Sequence, residues 1–181
     1  KHATEIYYGE DLPKAPGPEN RNFRGQPGDK NYYSHYAGRL LLDENNKHYS
    51  ADDGVVDAAI DRILHPVDER PLCIFLGLMY PHTPYGVEEP YFSAIDRSKL
   101  PRRAKQKKAK PRMEAELKRL MGMDSYTEQD WDELRACYLG MCLKVDYQFR
   151  RWCDALKEAG IYDDCAIFFL SDHGDYAGDY D

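Results

Sequence analysis

The sequence predicts an α/β fold, a mixed, mostly parallel sheet flanked by helices. Three observations carry this expectation. Two short runs, Leu72-Cys73-Ile74-Phe75-Leu76 and Ile167-Phe168-Phe169-Leu170, are apolar throughout, as strands buried on both faces of a parallel sheet are. Each run follows a segment with helical apolar periodicity, 50–64 and 127–159. Each also stops at a polar loop, Tyr80-Pro81-His82-Thr83-Pro84-Tyr85-Gly86 in the first unit and Ser171-Asp172-His173-Gly174 in the second. Two helix–strand–loop units of this kind put both loops at one edge of a single sheet. Open α/β folds bind ligands at that edge.

Taken in order, residues 1–49 are rich in Pro, Gly, Asn and charge and show no sustained period. They read as irregular chain, with turns at Pro16-Gly17-Pro18 and Gln26-Pro27-Gly28-Asp29. So long a structureless opening is unusual in a compact domain and implies a wrap around further protein. Residues 50–181 carry the helix and strand units. From Ser50, Val56, Ala59, Ile60, Ile63 and Leu64 form one helical stripe. Ser50 or Asp52 can cap it, Asp53 suits its first turn, and Pro66 ends it. A short helix is expected over 111–120, with Pro111 in its first turn. The longest pattern starts at Thr127, a good cap, and runs through Trp131, Leu134, Tyr138, Met141, Val145, Phe149, Trp152 and Leu156. Gly140 marks a kink or a close contact, and Gly160 sits where a C-terminal glycine belongs.

The chain has 181 residues, enough for a domain with a real core, and a formal charge of −7. That charge weighs against nucleic acid or an anionic membrane as the main partner. The basic run Arg102 to Arg112 reads as a solvated excursion, with a local anion site as the alternative. The fifteen tyrosines read mainly as loop packing, a sugar-stacking surface being the other option. The five cysteines are odd in number and none has CxxC spacing. Buried reduced thiols are expected, which leans towards a reducing, cytoplasmic setting. No signal peptide or transmembrane run is visible, but Lys1 is not a natural start, so localisation stays open.

Asp172 and His173, adjacent at a strand end, are candidate metal ligands; a strand-end Asx turn with a surface imidazole is the plainer alternative. His82 is either packed between its prolines or aimed at a substrate, where an imidazole can donate or accept a proton near neutral pH. Asp175 either orients His173 or is solvated. Asp146, mid-helix among apolar neighbours, is expected to be buried and hydrogen-bonded, with Lys144 and Arg150 exposed.

Three stretches together resemble the sulfatase family of the alkaline phosphatase superfamily: Asp146 to Gln148 through Leu156 to Asp164, Phe168 to Gly178 with its Ser-Asp-His-Gly, and Pro71 to Tyr85 with its Pro-His-Thr-Pro. The resemblance covers roughly the last 130 residues and implies metal-assisted hydrolysis of a sulfate ester. By it, Asp172 and His173 are metal ligands, and His82 is the histidine that contacts the sulfate and assists the leaving oxygen. It implies a divalent cation, usually calcium, with manganese or magnesium as alternatives, and a nucleophilic formylglycine. The implied partner is a small-molecule or saccharide sulfate ester; the substrate itself and the oligomeric state are not readable. An imidazole ligand also suits softer metals, so a phosphonate or phosphodiester hydrolase of the same superfamily is a second reading. A non-catalytic relative acting as a binding module is a third. The family's Cys-x-Pro-x-Arg motif, its serine version, its first acidic pair and its later lysine have no match in these 181 residues. The chain therefore reads as an internal part of a sulfatase-like catalytic domain, with formylglycine expected upstream and no aryl sulfatase activity expected of the 181 residues alone.

Overall fold

The computed structural model describes residues 36–105 and 111–180. The turns expected before residue 36 and the centre of the basic run lie outside the described residues. Local chemistry sets the helix boundaries. Helix α1 (Ala51–Leu64) begins at Ser50, whose Oγ accepts the Asp53 amide at 3.2 Å while the Asp53 carboxylate accepts the Ser50 amide at 2.8 Å. Helix α4 (Glu128–Glu158) begins with the same reciprocal pairing of Thr127 and Asp130. Beyond its end, Gly160 takes φ +71°, and the Ile161 amide donates to the Leu156 carbonyl at 3.0 Å. Only glycine adopts that backbone without penalty, and the bond satisfies a carbonyl left over at the helix end. Helix α3 (Arg112–Leu120) follows Pro111, and a single turn, α2 (Tyr91–Ala94), precedes it.

The sheet differs from expectation. Its two strands are β1 (Tyr36–Arg39) and β2 (Tyr85–Val87), paired in parallel with Tyr36 opposite Tyr85, Gly38 opposite Gly86 and Arg39 opposite Val87. The parallel sense and the flanking helices agree with the α/β expectation. β1 falls in the stretch read as irregular, and β2 lies just past the expected strand. Residues 71–79 and 165–171 form no strands. A strand is defined by hydrogen bonds to a neighbour, and among the described residues neither run has a strand partner. One side of each run is nevertheless packed. Ile74 and Ile167 lie on the Ile63, Ala155 and Leu156 cluster between α1 and α4. The other side is bare, with Phe75 93 %, Phe168 82 % and Leu170 85 % exposed.

The second cluster joins Tyr85 and Val87 of β2 to Trp131, Leu134, Cys137 and Met141 of α4. It is the packing that the α4 stripe predicts. Of the five free cysteines, Cys137 and Cys153 are buried and Cys142 is half-buried, as expected of small hydrophobes, and burial pushes the Cys137 thiol up to about 12. Cys73 and Cys165 lie exposed on the two bare runs, against the expectation of burial. Among the described residues no helix is long and apolar enough to cross a membrane.

Gly140 is a close-contact glycine. A Cβ there would lie 2.7 Å from the Tyr91 carbonyl oxygen and 3.1 Å from Val87 Cγ1, so α4 presses on the backbone at the start of α2 and on a side chain of β2. Because a backbone carbonyl cannot swing aside, Gly140→Ala is expected to destabilise by about 1–3 kcal/mol despite the better helix propensity of alanine. A denaturant midpoint equal to or above that of the unmodified protein would contradict this.

Candidate functional site

The loop that carries His82 hangs on α1. Asp52, in the first turn of that helix and buried, accepts the Met79 amide at 3.0 and 3.1 Å and the Tyr80 amide at 2.9 Å. The positive end of the α1 dipole also favours a carboxylate there. The Tyr80 hydroxyl donates to the Gly86 carbonyl at 2.9 Å, tying the loop's two ends together. The His82 amide donates to the Met79 carbonyl at 2.7 Å and closes the turn, and the Tyr80–Pro81 and Thr83–Pro84 bonds are both cis. His82 is exposed, with Nδ1 2.6 Å from the Thr83 carbonyl oxygen. Nδ1 therefore carries a proton, and Nε2 is the ring atom left for another partner.

Beneath this loop lies a buried ionic cluster. The Lys144 ammonium donates to Asp53 at 2.8 Å and to Glu88 at 2.7 Å, and it stands 5.5 Å from the centre of the Tyr80 ring. Gln148 donates to Asp53 at 2.7 Å. Burial raises the Asp53 pKa, but bonds from Lys144, the Ser50 amide and Gln148 outweigh it and hold the carboxyl below its ordinary value. Lys144 is thus buried, not exposed as the sequence implied, and Asp146 is exposed and paired with Arg150 at 3.2 Å. The apolar stripe itself holds here, with Met141 and Val145 buried, and Lys144 and Gln148 lie buried beside it. The exposed side of α4 takes Asp146 and Arg150, while Lys144 and Gln148 face α1 and β2.

The second loop is exposed. Asp172 Oδ1 accepts the His173 amide at 2.9 Å, and His173 Nδ1 lies 3.0 Å from the Gly174 carbonyl oxygen. That carbonyl, and then the Asp172 charge, raise the His173 pKa above its ordinary value. Asp175 is exposed but hydrogen-bonded. It accepts the Tyr85 hydroxyl at 2.5 Å through Oδ2 and the Ala177 amide at 2.7 Å through Oδ1. Further along, the Ala104 amide donates to Asp179 at 2.7 Å, and the Tyr180 amide donates to the Ala104 carbonyl at 2.7 Å. Arg103 donates to the Gly178 carbonyl, pairs with Glu128 at 2.7 Å and stacks 4.8 Å from the centre of Trp131. At least this member of the basic run is a clamp rather than a solvated charge.

The two loops meet. The His82 and His173 rings are 6.3 Å apart and edge to face. His82, Asp172 and His173, selected from sequence alone, therefore share one edge of the molecule. Tyr85, Asp52 and Arg103 escaped that selection. Their partners lie on segments distant in sequence.

The donor chemistry at Asp172–His173 fits a cation in part. With Nδ1 held by Gly174, His173 offers Nε2, and this atom lies 3.8 Å from Asp172 Oδ2. Ion–donor distances of about 2.0–2.6 Å put neighbouring donors roughly 3–4 Å apart, so both atoms can face one ion. They supply half a coordination sphere at most. Among the described residues no group of three or more His, Cys, Asp or Glu side chains is gathered around one point.

Comparison with known proteins bears on what this edge does. The sulfatase family model matches residues 7–181. The chain belongs to the sulfatase family. Curated relatives of this sulfatase-family chain are remote. Over 131 residues it is 28 % identical to the multifunctional alkaline phosphatase superfamily protein PehA of Trinickia caryophylli, a match that covers 62 % of this chain and 25 % of the relative. Over 130 residues it is 25 % identical to the arylsulfatase of Clostridium perfringens (strain 13 / Type A), covering 70 % of this chain and 27 % of that enzyme. The chain spans about a quarter of the length of these relatives.

Proposed function

We propose that the full-length protein is a sulfuric ester hydrolase, and that this chain supplies one side of its active site: His82 as the substrate-contacting acid, and Asp172 and His173 as metal ligands. The observation that carries the reading is the meeting of the two loops at one edge in a sulfatase-family chain. The Thr83 carbonyl occupies Nδ1–H of His82, so a proton given up to the substrate leaves from Nε2. That proton serves a sulfate oxygen or the oxygen leaving with the alcohol, where negative charge develops as the ester bond breaks. A divalent cation held by Asp172 and His173, with calcium, manganese or magnesium as candidates, would stabilise charge on the sulfate oxygens. The nucleophile, expected to be a formylglycine, belongs to sequence outside these 181 residues.

A second reading, hydrolysis of phosphonate esters or phosphodiesters, is favoured by the similarity to a relative named as a multifunctional member of the alkaline phosphatase superfamily, and by the imidazole ligand. One experiment separates the two. The full-length protein is expected to turn over an aryl sulfate with a higher kcat/KM than an aryl phosphonate or phosphodiester, and the reverse order would select the second reading. The 181-residue chain alone is expected to turn over none of the three. In the active full-length protein, His82→Ala is expected to lower kcat about a hundredfold with metal content unchanged. Unchanged kcat would remove His82 from the chemistry.

A further inference from the structure

His82 is not held by its own side chain. Among the described residues, its ring has the Thr83 carbonyl and the edge of His173 as neighbours, and the Asp172–His173 side chains bond only to their own loop. The separation of the two loops must be set elsewhere. Among the described residues, one direct side-chain hydrogen bond joins residues flanking them: Tyr85, three residues after His82, donates its hydroxyl to Asp175, two residues after His173, at 2.5 Å. Each end has further partners. Tyr85 is buried in β2, paired with Tyr36 across the sheet and set edge to face against Tyr138 of α4 at 5.5 Å. Asp175 uses its second oxygen on the Ala177 amide, which locks the carboxylate in the turn that follows the ligand pair. The bond spans ninety residues of sequence and connects buried β2 to the turn after the ligand pair.

We propose that the Tyr85 hydroxyl and the Asp175 carboxylate form a strut that sets the spacing between His82 and the Asp172–His173 pair, making both positioning residues for the hydrolysis. The inference rests on the proposed assignment of those three residues. Tyr85 touches neither substrate nor ion; it acts through where it holds the loops. A misplacement of about 1 Å at a reacting group costs on the order of a hundredfold in rate, so a strut of this kind is visible in kinetics although it adds little to stability.

The test uses the full-length protein carrying Tyr85→Phe, Asp175→Ala, Asp175→Asn, and the double variant Tyr85→Phe/Asp175→Ala. Tyr85→Phe keeps the buried ring and deletes one oxygen. It is expected to lower kcat by about tenfold to a hundredfold with KM, metal content and unfolding midpoint little changed. Asp175→Asn, which keeps an acceptor oxygen, is expected to lose less than Asp175→Ala. The double variant is expected to be no worse than Asp175→Ala, because both changes break one bond. A normal kcat in Tyr85→Phe, or losses that multiply in the double variant, would overturn the strut. A second measurement does not depend on turnover. In histidine-labelled protein, ring-proton cross-relaxation between His82 and His173 is expected in the unmodified chain and lost in Tyr85→Phe. If no ester is hydrolysed, the functional reading fails while this signal still decides the strut: its persistence in Tyr85→Phe would reject it.

Discussion

Lys144→Met is expected to destabilise the protein by about 3–5 kcal/mol, the typical cost of removing one member of a buried ion pair. Lys144 is 2 % exposed and donates to both Asp53 and Glu88. Methionine matches its length and apolar stem but leaves two carboxylates facing one another in a site that excludes water. The loss comes from the stranded charges and not from a cavity. Glu88→Gln added to Lys144→Met is therefore expected to recover part of it, and Asp53→Asn a further part. Recovery in neither double variant would assign the loss to packing. The pH dependence has a definite sign. In the unmodified protein the Asp53 pKa is depressed below 3.8, so its contribution is present above about pH 4 and is lost as pH falls through the depressed value. With Lys144 gone, burial is the largest remaining influence and raises that pKa. The stability deficit of the variant is then largest at neutral pH, and it shrinks as pH falls from the raised Asp53 pKa of the variant towards the depressed one of the unmodified protein. Unfolding midpoints at pH 7 and pH 3.5 measure this; equal deficits at the two values would mean that Asp53 is not the charge at stake.

The same cluster marks the boundary of what the sequence discloses. Ser50 and Thr127 were legible as caps because each acts on an amide three residues away. The loops at His82 and Asp172 were legible because apolar runs stop abruptly in front of them. Lys144 was not legible. Its partners lie 91 and 56 residues away, and a lysine two positions before an aspartate in a helix looks like solvent-facing charge. Asp175 was left between two roles for the same reason, since Tyr85 reaches it from ninety residues upstream. β1 was hidden differently. Tyr-Ala-Gly-Arg has neither alternation nor a run of β-branched residues, and it becomes a strand only because β2 offers it bonds. The converse holds at Phe75 and Phe168, whose runs have strong β propensity and no strand beside them among the described residues. Propensity locates where a strand can form, and a neighbour decides whether it does.

Asp172→Ala separates site from scaffold most sharply. In the full-length protein it is expected to abolish stoichiometric metal binding and to lower kcat/KM by about a thousandfold or more, since a cation at the reacting ester contributes several kcal/mol of transition-state stabilisation. The fold should not notice. The Asp172 side chain is 90 % exposed, and its hydrogen bond is to the amide of the next residue. That contrast distinguishes it from Lys144→Met, where stability falls first and activity follows. Asp172→Asn is the graded control. It keeps an oxygen to accept the His173 amide, so the loop conformation survives, but it gives up the charge that a hard cation prefers. It is expected to retain measurable metal affinity, weaker than in the unmodified protein and stronger than in Asp172→Ala. Metal content by elemental analysis and kcat/KM across a metal titration would show the order Asp, Asn, Ala. If excess metal restores Asp172→Asn but not Asp172→Ala, the carboxylate acts by holding the ion. If metal content is equal in all three proteins, the ion is bound elsewhere, and Asp172 serves only to turn the chain at His173.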